Sequence, residues 1–168
     1  MLVIGIDPGT AITGYGLLRE NEDGSLYVVD YGAILTSSEQ PMSERLLELH
    51  RQLSEILLLH QPDSGAVEKL FFHRNVTTAL SVGQARGVTL LAMAAQGLQI
   101  GEYTPLEVKQ AVVGYGGADK NQVQQMVKAL LELPEVPKPD DVADALAVAI
   151  CHIHSARLKN LYMESGSQ

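Results

Sequence analysis

Cysteine occurs once, as Cys151, and phenylalanine only as the adjacent pair Phe71 and Phe72. A single thiol excludes an internal disulfide and a thiolate metal cluster, and inside an apolar helical pattern Cys151 reads as a small core residue. Long hydrophobic runs are missing as well. The longest, Ile56 to Leu59 and Ala145 to Cys151, fall far short of the ~20 apolar residues that cross a bilayer. No basic segment with a hydrophobic core and cleavage site opens the chain, so no membrane is expected and the expected location is cytoplasmic. Positive charge is scarce: 12 Lys and Arg against 20 Asp and Glu leave a net charge of −8. That balance argues against a broad electrostatic grip on nucleic acid. The exception would be a set of acids gathered around divalent cations, which inverts the local field.

What is present suits one soluble α/β domain. Hydrophobic residues make up 46% of 168, enough for a real core; residues 1–158 read as a single domain and 159–168 as a polar, loosely held tail. The opening run Leu2-Val3-Ile4-Gly5-Ile6-Asp7 predicts a buried strand, and Pro8-Gly9 turns the chain directly after Asp7. Thr13 to Leu18 and Leu26 to Leu35 predict two more strands in a meander. Apolar spacing predicts helices over Met42 to Leu59 and Val76 to Leu98, with a strand over Ala66 to Phe72 between them and parallel to the first. A short strand, Gln99 to Tyr103, follows. Thr104-Pro105-Leu106-Glu107 is a capping box that starts a helix stopping at Gly114, and Asp119-Lys120-Asn121-Gln122 starts another that runs to Pro134. Asp140 or Asp141 caps the last helix, which continues towards Leu158. The result is a five-stranded mixed sheet flanked by helices, with no internal repeat.

Four acids stand out against this pattern. Asp7 and Glu68 fall at or near the carboxyl ends of parallel strands, where α/β sheets bind ligands. Glu68 interrupts an otherwise apolar run and is costly to bury unless paired or bound to a cation; the alternative is a solvated edge strand beside Lys69, as Asp-Pro-Gly taken alone is ordinary turn chemistry. Asp141 and Asp144 share one helix face with Val148 and Cys151, while Asp140 suits the helix dipole. Carboxylates without thiols or an i, i+4 histidine pair ask for hard cations, Mg²⁺ with Mn²⁺ as substitute. Two ions per site, about 3.5–4 Å apart, would serve in-line hydrolysis of a nucleic-acid backbone. Lys109, Lys120 and Arg74, with Arg86 less placed, are candidate phosphate contacts, and Phe71 or Phe72 a candidate for stacking on an unpaired base.

Several motifs together resemble the RuvC family of bacterial Holliday junction resolvases, RNase H-like in fold. They are Gly5-Ile6-Asp7-Pro8-Gly9, Val67-Glu68-Lys69-Leu70-Phe71, Gly83-Gln84-Ala85-Arg86-Gly87, Val108 through Gly114 and Asp141-Val142-Ala143-Asp144. The resemblance covers residues 1 to 156. It implies a homodimer on four-way junction DNA, two symmetric metal-dependent nicks in recombination and repair, and contact with the branch-migration proteins RuvA and RuvB. It places the family's acids on Asp7, Glu68, Asp141 and Asp144, its aromatic on Phe71, its DNA-contacting lysines on Lys109 and Lys120, and its dimer interface on the second long helix. Two other readings stand beside it: a junction-binding protein of the same fold without turnover, and an actin-like nucleotide-binding lobe, suggested by Asp7-Pro8-Gly9-Thr10.

Overall fold

Alternation explains the sheet. In strand β1 (Leu2–Asp7), Val3 joins one hydrophobic cluster while Ile4 and Ile6 join another, and none of the three has exposed surface; successive side chains point to opposite faces, so β1 is covered on both. It pairs antiparallel with β2 (Ile12–Glu20), which pairs antiparallel with β3 (Leu26–Leu35). After helix α1 (Met42–His60), strand β4 (Ser64–Glu68) returns parallel to β1 with Ile6 opposite Val67. Helix α2 (Val76–Ala95) leads to β5 (Gln99–Tyr103), parallel to β4, and the strand order is β3-β2-β1-β4-β5. Helices α3 (Pro105–Val113), α4 (Lys120–Leu130) and α5 (Asp140–Ser165) follow. This computed structural model describes residues 1–69 and 76–165.

The two faces have separate cores. Leu49, Leu53 and Leu57 of α1 with Ala92 and Met93 of α2 cover one; Val108, Val127 and the α5 residues Val142, Leu146 and Ile150 cover the other. Helix α5 lies close on β1 and β2 because glycines let it. A Cβ on Gly5 would stand 2.2 Å from the Ala145 oxygen, and one on Gly14 would stand 2.0 Å from the Asp141 oxygen, well inside any real contact.

Element order and types match the sequence expectation, as does the parallel pairing of β4 with β1, and several boundaries differ. Strand β4 starts at Ser64 and ends at Glu68, so Ser64 and Gly65 belong to the sheet rather than to a turn. Gly65 is there for packing, since a Cβ would meet the Met93 sulfur at 2.4 Å. Helix α2 ends at Ala95, followed by Gly97 at φ +74°, and α4 ends at Leu130. Helix α5 starts with both Asp140 and Asp141 already in its first turn and runs on to Ser165, through most of the stretch read as a tail.

Candidate active site

Asp7 owes its place to the turn that follows it. Thr13, buried in β2, closes that turn by donating its hydroxyl to the Gly9 carbonyl at 2.7 Å and accepting the Gly9 N–H at 3.3 Å. Glu68 comes next to it across the sheet, one step beyond the Ile6 and Val67 pair. From above, α5 delivers Asp144. Asp7, Glu68 and Asp144 line one cavity of about 200 Å³ with Lys109 and Lys120, floored by apolar residues such as Val108 and Val148. The two lysines are held by helix starts. Thr104 and Glu107 form a reciprocal capping box at α3, and Asp119 and Gln122 form one at α4, with Lys120 the first residue of α4.

Charge in this cavity is unbalanced. Burial first, then the charges of Asp144, Asp141 and Glu68, push the Asp7 carboxyl up from 3.8 to about 7, against a smaller pull from Lys120. Burial likewise raises Glu68, with Asp144 adding to it and Lys109 and Lys120 opposing. Burial raises Asp144 too, although Lys120 pairs with it at 3.0 Å. Burial disfavours the Lys120 charge, yet its bonds to Asp144 and to Asp140 prevail and its pKa is raised. Asp141 acts on both Asp7 and Asp144 electrostatically without lining the cavity. Asp140 does not line the cavity, although Lys120 reaches it at 3.6 Å, and its carboxyl is pulled down by Lys138, 2.8 Å away. That agrees with its reading as a residue of the helix start.

Among the described residues, no three His, Cys, Asp or Glu side chains already stand in an arrangement that would hold an ion. The fold brings the four acids to one rim, and the Lys120 ammonium occupies the space beside Asp144. Phe71 and Arg74 lie outside the described residues, as does Phe72. Arg86 is not a free phosphate contact. Its Nε donates to the Glu68 backbone oxygen at 3.2 Å and a terminal nitrogen pairs with Glu102. No sequence signal pointed to this role, because the partner of Arg86 is a main-chain oxygen on another element.

Comparison with known proteins gives the family and the fold. Residues 3–152 match the family model described as crossover junction endodeoxyribonuclease RuvC. A crossover junction endodeoxyribonuclease RuvC of Desulfitobacterium hafniense is 61% identical over 160 residues, 95% of this chain and 96% of the relative. The RuvC structure of Thermus thermophilus superposes with a TM-score of 0.88 at 37% identity, covering 95% of this chain and 97% of that one. The Thermus protein in complex with a Holliday junction substrate superposes with a TM-score of 0.86 at 35% identity, covering 94% and 96%.

Proposed function

The chain belongs to the RuvC family of crossover junction endodeoxyribonucleases, and we propose that it resolves four-way DNA junctions by paired hydrolytic nicks, with Asp7, Glu68, Asp141 and Asp144 as its acids. The observation that carries this is the cavity in which Asp7, Glu68 and Asp144 meet Lys109 and Lys120. Carboxylates pushed up by burial and by one another, with oxygen as the only donor type, fit hard divalent cations. Two Mg²⁺ ions, with Mn²⁺ as substitute, would supply activation of the attacking water and stabilisation of the leaving oxygen.

The protein's own part is placement. Asp7 and Glu68 sit on strand ends of a sheet covered on both faces, which holds their main chains in place. Asp144 and Asp141 come from the first turns of α5, pinned against β1 and β2 at Gly5 and Gly14. Lys120, now paired with Asp144 and Asp140, would be released to meet a phosphate were the acids to hold cations, and Lys109 would meet the backbone from the α3 side. Arg74 and Phe71 complete the DNA contacts in this reading. Resolution needs cuts in two strands, hence two copies of the chain in a homodimer; RuvA and RuvB are the proposed partners and the cytoplasm the proposed location. Among the described residues no helix is long and apolar enough to cross a membrane.

Substituting the acids one at a time separates catalysis from binding. Asp7→Asn and Glu68→Gln are expected to abolish nicking of a labelled four-way junction in Mg²⁺ while shifting it in a gel as well as wild type does. Tight binding without nicks by the wild-type chain would instead identify a junction-binding protein without turnover.

A further inference from the structure

Arg86 approaches the active site from behind. Glu68 aims its side chain into the acidic cavity on the α3 and α5 face of the sheet, whereas Arg86 comes from α2 on the opposite face and donates Nε to the Glu68 backbone oxygen at 3.2 Å. The last β1 and β4 register pair is Ile6 with Val67, so this oxygen lies where the ladder to β1 has ended. On the other side, the Lys69 N–H still donates to the Tyr103 oxygen at 2.7 Å. Strand β4 is thus held at its tip by one main-chain bond to β5 and one side-chain bond from α2.

Arg86 is in turn fixed by Glu102, which stands opposite Val67 on β5 and so points to the α2 face. The pair is unequal. The Arg86 side chain is 17% exposed and that of Glu102 43%, so the guanidinium is the enclosed member and the carboxylate faces solvent. A planar fork with several donors can hold a carbonyl and a carboxylate at once, which a lysine cannot do from one nitrogen without giving up part of the geometry.

We propose that Arg86 is a positioning residue for Glu68: by gripping the main-chain oxygen of that acid while Glu102 orients the fork, it sets where the Glu68 carboxylate stands for cation binding. The inference rests on the reading of Glu68 as a cation ligand. Groups that orient ligands from outside the site commonly matter by about 10- to 100-fold in affinity or rate, and the same scale applies here. A merely structural ion pair joining α2 to β5 would cost stability alone.

The test uses the whole chain in wild-type form and as Arg86→Met, Arg86→Lys and, as a control, Arg51→Met. Arg51 pairs with Glu48 and Glu55 on the exposed side of α1, away from the site. Two quantities are read well below each variant's melting temperature: Mn²⁺ affinity of the DNA-free protein by calorimetry, and single-turnover nicking at saturating junction. Arg86→Met is expected to weaken Mn²⁺ binding and slow nicking by about 10- to 100-fold, with junction affinity in EDTA within twofold of wild type. Arg86→Lys should fall between, and Arg51→Met should match wild type in both. An Arg86→Met protein with wild-type Mn²⁺ affinity overturns the proposal, whether or not its nicking rate falls. If the wild-type chain nicks no junction, the proposed function fails, and the Mn²⁺ titration alone then decides the role of Arg86.

Discussion

Asp7 carries the electrostatic cost of the site. A carboxyl raised from 3.8 to about 7 binds its proton more tightly in the folded than in the unfolded chain. Between those values the folded state therefore holds more protons, and stability falls as pH rises through the window. Above pH 7 the ionised group is a net burden. Asp7→Asn removes that charge, so at pH 8 in EDTA the variant is expected to be more stable than wild type by roughly 2 kcal/mol, allowing for partial solvent screening. At pH 4 the gain should vanish, and urea unfolding at the two pH values checks both. The role proposed for Lys109 is of the opposite sense, towards the substrate. Lys109→Ala is expected to weaken junction binding and to lower the slope of log affinity against log salt by about 1, as read by titration at several salt concentrations. At this scale the sequence was most legible where chemistry and position coincide: a carboxylate that ends an apolar run, as at Asp7, or interrupts one, as at Glu68, is visible in a list of letters. Arg86 was not, because its partner is a main-chain oxygen eighteen residues away and side-chain type says nothing of that.

Among the elements, α5 decides whether the acids converge. The helix lies against β1 and β2 at the distance that bare glycines permit. Its first turn is the tightest contact, with Gly14 beneath the Asp141 carbonyl. Gly14→Ala forces that turn outward. It is expected to cost ~1–3 kcal/mol in stability, the usual range for overpacking, and to reduce nicking far more than junction binding. Chemical denaturation and the nicking assay, run on the same preparation, check the two halves. Caps and stops were readable in advance because they are local. Thr104 with Glu107, Asp119 with Gln122 and Gly114 at φ +90° all stand where short-range chemistry places them. Gly5 and Gly14 were not readable as packing sites, since their reason is an element more than a hundred residues later. Ser64 and Gly65 misled in the same way: turn-forming letters that the sheet takes up because Met93 needs the space over Gly65. The end of α5 misled by composition, polar residues after Leu158 continuing a helix to Ser165.

The whole molecule presents a paradox of charge, −8 in total for a chain whose relatives act on DNA. The paradox is local in its resolution. Divalent cations in the acid cavity would turn its field from repelling to attracting phosphate, with Lys109 and Lys120 already at its wall. The second long helix offers a surface for the proposed two-copy assembly: Leu80 and Leu91 are 64% and 61% exposed, about three turns apart and so on one stripe, with Gly83 and Gly87 open between them. Leu91→Glu is expected to convert two-copy particles to single copies in sedimentation, and with them to lose paired nicking while single nicks persist. The measurement that bears most directly on the account is the cleavage of a labelled synthetic four-way junction, with linear duplex as control, in Mg²⁺, in Mn²⁺ and in EDTA. Two symmetric nicks in strands of like polarity, confined to the junction and absent in EDTA, are the predicted result. Equal cutting of the duplex, or nicking that survives EDTA, would contradict it.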